Sequence, residues 1–164
     1  MSILDSQSAL RKAVDFERTG RDYYTEAVKK TLHPVARSVF QLLVDEEDKH
    51  LDYLLRLCDY LNANDKWPDE ISIHLDTDFK MLFQDELRRI DDNIKVSTSE
   101  LEALSFAVAM EYKGRAMYAE LAGKATNQME KELFDRLAVW EQGHATYLED
   151  YFNYFQDQGL HTEE

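Results

Sequence analysis

The chain has 164 residues and a net charge of −14, from 33 acidic against 19 basic residues. That length fits one domain over residues 1–164 with a sizeable core, and that charge excludes general binding to nucleic-acid phosphates or to anionic lipid surfaces. The single cysteine, Cys58, excludes an intrachain disulfide and any CxxC metal or redox pair, and no apolar run approaches membrane-spanning length. The opening MSILDSQSALRK does not resemble a signal peptide, so a cytoplasmic location is expected. Only 5 glycines and 2 prolines interrupt the chain, which leaves room for long helices and none for a glycine-rich phosphate loop.

The first predicted helix runs from about Asp5 to Thr31, with Leu10, Ala13, Val14, Glu17, Gly20, Tyr24 and Ala27 recurring at spacings of three and four. Pro34 suits the first turn of a second helix, whose stripe is Phe40, Leu43, Glu47, His50, Leu54, Leu57 and Leu61. That helix should stop near Asn62-Ala63-Asn64-Asp65, with Pro68 beyond it. Residues 66–97 read as a long connection with a short helix around Phe79 to Ile90. Ser97 and Glu100 form a predicted capping box opening a third long helix, which carries Leu104, Ala107, Val108, Glu111, Gly114, Tyr118 and Leu121. Asn127 with Glu130 caps a fourth, striped by Phe134, Leu137, Glu141, His144, Leu148, Tyr151 and Phe155; the tail after Gln156 is expected to fray.

The chain repeats itself at an offset of 94 residues. Positions 10–30 and 104–124 share 9 of 21 residues, and 40–54 and 134–148 share 6 of 15, including Glu47/Glu141 and His50/His144. Identical polar residues are not demanded by apolar periodicity, so the match points to duplicated architecture. Two helices, a connection too long for a simple turn, then two helices of the same design predict an all-α four-helix bundle made of two hairpins joined by a crossover.

Glu17, Glu47, Glu111 and Glu141 occupy apolar-face positions, as do His50 and His144. A buried carboxylate without compensation costs several kcal/mol, and no lysine lies on these stripes. Two divalent cations would cancel four carboxylates. In Glu47-x-x-His50 and Glu141-x-x-His144 the glutamate and histidine are neighbours on one helix face, placed so that the carboxylate can bridge two ions while the imidazole ligates one. Tyr24 and Tyr118 lie two turns after Glu17 and Glu111 on the same face, within reach of a ligand carboxylate. Glu26 and Glu120 mirror each other off the stripe and read as solvated. Met110, Met117 and Trp140 read as packing residues, and Cys58 as a small buried hydrophobe. His33, His74 and His161 show no suitable partners.

The pattern Glu17…Glu47-x-x-His50…Glu111…Glu141-x-x-His144 resembles the ferritin-like di-iron carboxylate proteins, and within them the rubrerythrin branch. Phe16-Glu17-x-x-Gly20-Arg21-x-x-Tyr24, Asp45-Glu46-Glu47-x-x-His50 and Met117-Tyr118 carry that resemblance over residues 5–60 and 98–155. It implies two iron ions, with manganese or a mixed pair also suited to the ligand set. Glu47 and Glu141 would bridge, Glu17 with His50 would complete one metal, and Glu111 with His144 the other. It implies reduction of hydrogen peroxide, or reaction with oxygen, using electrons from a separate donor protein such as rubredoxin, since the chain lacks the cysteines of a rubredoxin domain. A homodimer is expected. An iron-oxidising storage protein is the alternative, and a non-catalytic bundle a third reading. The family usually carries a second glutamate one turn after the third-helix ligand, where this chain has Gly114, and the redox-dependent iron movement tied to that glutamate is not implied here.

Overall fold

The computed structural model describes residues 3–73 and 77–157. They form five helices: α1 (Ile3–Lys30), α2 (Pro34–Asn64), α3 (Thr77–Arg88), α4 (Thr98–Lys124) and α5 (Gln128–Asp157). No strand occurs among the described residues, and none of their helices is long and apolar enough to cross a membrane. The protein is an all-α, ferritin-like bundle of two hairpins, α1–α2 and α4–α5, linked by a crossover carrying α3. Backbone packing is dense within each hairpin and sparse between them. The hairpins are therefore held to one another mainly by long side chains.

Local chemistry sets the boundaries. Pro34 opens α2 at the position where its missing N–H costs no helical bond. Asp65 closes α2 in the left-handed region at φ 52°, its N–H returning to the Leu61 carbonyl. At the head of α4, Ser97 Oγ accepts from the Glu100 amide at 3.1 Å, and Glu100 Oε2 accepts from the Ser97 amide at 2.8 Å, completing the capping box. Asn127 Oδ1 accepts from the Met129 and Glu130 amides at 2.8 and 3.3 Å before α5. The end of α5 at Asp157 leaves the expected fraying of the tail outside the described residues.

His33 corrects the sequence reading that left it without partners. It caps α2, its Nδ1 accepting from the Ala36 amide at 3.3 Å, its Nε2 3.2 Å from the Ile94 carbonyl oxygen. The Glu100 carboxylate also accepts from the Leu32 and His33 amides, so one side chain ties the α1–α2 turn to the head of α4. These partners lie 61 to 68 residues away in sequence, beyond the reach of a local pattern. His74 and His161 lie outside the described residues.

Two apolar clusters fill the bundle at different heights. One gathers Leu10, Leu54, Leu57, Leu61, Trp67, Phe134 and Leu137; the other gathers Phe40, Leu43, Phe83, Leu104, Leu148 and Phe155. The crossover belongs to this core. Phe83 is fully buried, Tyr151 donates to its carbonyl at 3.1 Å, and Arg136 donates to the Ile71 and Ile73 carbonyls at 3.0 and 3.2 Å. Cys58 is half-buried, not sealed as expected, because its helix face turns toward the surface hollow beside Arg11 and Leu55.

Candidate metal centre

A polar belt sits between the two apolar clusters. Glu17 comes from α1, Glu47 and His50 from α2, Glu111 from α4, and Glu141 and His144 from α5; all six residues are at most 3 % exposed. Each is carried inward by the helical stripe that buries its apolar neighbours. Glu17, Glu47, His50 and Glu141 offer donor atoms all within 4.8 Å of one another, and so do Glu47, Glu111, Glu141 and His144. The two groups share Glu47 and Glu141. Four helices thus place six predicted residues in one cluster with two overlapping halves.

The arrangement is quasi-symmetric. His50 Nδ1 lies 3.1 Å from Glu17 Oε2, and His144 Nδ1 lies 3.3 Å from Glu111 Oε2. Tyr24 donates to Glu111, and Tyr118 donates to Glu17. Each tyrosine is therefore bonded to the glutamate of the other hairpin, an exchange that fastens α1 to α4 where their backbones contact little. The His50 and His144 rings lie nearly parallel, 6.0 Å apart. Trp140 lies flat on His50 at 4.2 Å, and Phe79 of α3 packs on His144 at 4.7 Å. The sequence pattern gave no sign that α3 would cover the cluster.

The protonation pattern divides the four carboxylates. Burial alone would raise Glu17, yet the charge of His50 and hydrogen bonds from Glu47, His50 and Tyr118 outweigh it and hold its carboxyl at about 2. Burial likewise opposes ionisation of Glu111, and His144, Glu141 and Tyr24 overcome it and depress its value. Glu47 and Glu141 go the other way. Burial, reinforced by the charges of Glu17 and Glu111, pushes both well above the ordinary carboxylate range. Burial would lower His144, but Glu111 more than offsets it and raises it. Burial and the same carboxylates drive the Tyr24 and Tyr118 hydroxyls well above 10.0, so both remain donors. Without metal the cluster is thus a set of carboxylate–imidazole pairs at the flanks and, in the middle, two carboxyls that resist ionisation.

Those hydrogen bonds leave atoms over. Glu47 Oε2, His50 Nε2 and both oxygens of Glu141 are buried without a hydrogen-bond partner, and Glu111 Oε2 and His144 Nδ1 face only each other, at 3.3 Å without hydrogen-bond geometry. An unsatisfied buried polar atom costs about 1–3 kcal/mol, and such a concentration of them is the mark of a site built for something else. The donor set, oxygens and imidazole nitrogens without thiolate, suits iron or manganese. The residues present fit a dinuclear metal centre.

The polar residues beside the belt are otherwise engaged. Arg21 pairs with Asp22 and Asp48 at 3.2 and 3.6 Å, outside the cluster. Glu26 and Glu120 are exposed and pair with Lys29 and Lys124, as expected of solvated residues. Met110 and Met117 are partly buried against the core.

Residues 102–163 match the family model described as Rubrerythrin. The match spans nearly all of α4 and α5, the hairpin that carries Glu111, Glu141 and His144. No curated protein and no solved structure matches the chain.

Proposed function

We propose, from a rubrerythrin-type second hairpin and a first hairpin that repeats it, that the protein is a non-haem di-iron oxidoreductase that reduces hydrogen peroxide with electrons from a separate donor protein. The observation that carries this reading is the pair of overlapping ligand groups sharing Glu47 and Glu141. Glu17 and His50 would hold one ion, Glu111 and His144 the second, with Glu47 and Glu141 between them. A reduced metal pair bound there supplies the two electrons that cleave a peroxide O–O bond.

The chain's own residues do the rest. Tyr24 and Tyr118 hold the Glu111 and Glu17 carboxylates from the opposite hairpin, which fixes ligand orientation before any ion arrives. Glu47 and Glu141 release their protons as they become ligands, so loading is coupled to proton release and weakens in acid. Trp140 and Phe79 shield the imidazoles from water. The one cysteine among the described residues forms no CxxC electron-transfer site, which supports a separate protein as the donor. The proposed setting is the cytoplasm, and the proposed assembly a homodimer.

Stopped-flow oxidation of the ferrous-loaded protein tests the reaction. Oxidation by peroxide outpacing oxidation by dioxygen is expected. Dioxygen outpacing peroxide by a wide margin contradicts the peroxidase reading while leaving the metal centre intact.

A further inference from the structure

The duplication is broken beside Gly114, next to the centre. Gly20 of α1 and Gly114 of α4 are equivalent positions in the repeat. A Cβ added to Gly20 would find the Glu47 carboxylate at 3.6 Å, an ordinary contact. A Cβ added to Gly114 would lie 2.5 and 2.7 Å from Phe16 Cε1 and Cζ and 2.9 Å from Glu141 Oε2. The Phe16 ring has crossed from α1 and taken the room that a side chain at 114 would fill. It is steadied there by an edge-on contact with Tyr118 at 6.1 Å.

Outside that ring lies a hollow of about 540 Å³ between α1 and α4, walled by Phe16, Phe106, Met110 and Met117, with the exposed Lys12, Asp15, Thr19 and Lys113 at its edge. Phe106 is 57 % exposed, so the hollow opens to solvent over apolar surface. Its inner wall is the ring itself, and behind the ring is Glu141 Oε2, one of the unpartnered atoms of the cluster. The opposite flank differs. There Trp140 and Phe79 pack on the imidazoles, and a smaller hollow of about 210 Å³ reaches His144 itself between Phe79, Trp140 and Tyr147, with Glu46 and Lys80 among its lining residues.

We propose that Phe16 is the gate of an apolar route between α1 and α4, selecting a small uncharged molecule of the size of dioxygen or hydrogen peroxide for passage to the Glu141 side of the centre. An apolar passage sealed by one ring, seated in the room that a glycine leaves, passes a neutral molecule without the desolvation cost that stops an ion. This inference rests on the metal reading above and specifies how that site is reached.

Two variants move the route in opposite directions. Phe16→Ala, with Phe16→Leu as the milder form, removes the gate; Ala109→Trp fills the hollow from an exposed position on its wall. On the ferrous-loaded protein, nitric oxide association followed by stopped-flow should rise at least about fivefold in Phe16→Ala and fall comparably in Ala109→Trp. Extraction of metal by EDTA, a charged chelator too large for the route, should stay within about twofold of the parent. On the metal-free protein, ¹²⁹Xe NMR should show xenon bound in the parent and displaced in Ala109→Trp. An unchanged nitric oxide rate in either variant, or an EDTA rate that rises in parallel, overturns the proposal. If iron fails to load at all, the metal reading is what has failed, and the xenon measurement alone then decides whether the hollow takes small neutral molecules: no xenon in the parent overturns it.

Discussion

Glu47 and Glu141 are the residues on which the chemistry and the stability of the protein pull in opposite directions. In the metal-free fold burial and the neighbouring carboxylates push both well above the unfolded value of about 4.3. A carboxyl raised in this way contributes stability that is complete below its unfolded value and is lost as pH rises through its folded value. His144, also raised, adds to the loss on the same side. Glu17, held at about 2, contributes the reverse: stability present above the unfolded value and lost only as pH falls through the folded one. The metal-free protein should therefore melt at lower temperature at about pH 8 than at about pH 5, and the slope should flatten when metal occupies the centre. Glu47→Gln and Glu141→Gln, which mimic the protonated form, should raise the melting temperature of the metal-free protein near neutral pH by a few degrees, about 1 kcal/mol, while abolishing metal loading. Thermal melts across pH with metal analysis check both halves. Tyr24→Phe and Tyr118→Phe should each cost about 1–2 kcal/mol in the metal-free protein and weaken metal affinity roughly 10–100-fold, read by melting and competitive chelation.

At the scale of elements, the two hairpins depend on a few polar clasps because their backbones touch little. The Glu100 carboxylate is the clearest of these outside the centre. It accepts from the amide of Ser97 and from those of Leu32 and His33, joining the head of α4 to the α1–α2 turn. Three backbone amides hold its carboxyl below the usual range even though burial opposes ionisation. Glu100→Ala should destabilise the protein by about 2–3 kcal/mol, more than the roughly 1 kcal/mol of Ser97→Ala, a difference measurable by denaturant titration. The helices themselves were legible in the sequence. Few breakers, stripes at three and four, Pro34 and the Ser97/Glu100 box fix both ends of α1 and α2 and the start of α4 to within a residue or two of those observed. What the stripes could not convey was partnership. Periodicity says which face of a helix is inward and not which neighbour it meets, so the cap by His33, the crossed bonds of Tyr24 and Tyr118, and the seating of Phe79 on His144 had no local signature. Each joins residues more than 60 positions apart, apart from the cap itself, whose outer partner Ile94 is equally remote.

For the whole molecule, the internal duplication accounts for both the fold and the site. The repeat at offset 94 placed Glu17 against Glu111, and Glu47-x-x-His50 against Glu141-x-x-His144, before any coordinates, and the bundle brings all six into one buried belt. Charge made that convergence readable, since four carboxylates on apolar stripes demand compensation that those stripes do not carry as lysine or arginine. The departure from symmetry at Phe16 and Gly114 was not readable, because it depends on a ring crossing between helices. In the homodimer proposed above, light scattering should return twice the chain mass with metal bound; a closed shell of many subunits would favour storage over peroxide reduction. The most direct test is an anomalous-scattering map of crystals loaded with iron or manganese. It should show two peaks roughly 3.5–4 Å apart between Glu47 and Glu141, each beside one imidazole. A map with no ion between those carboxylates, or with the glutamates turned out to solvent, would contradict the account.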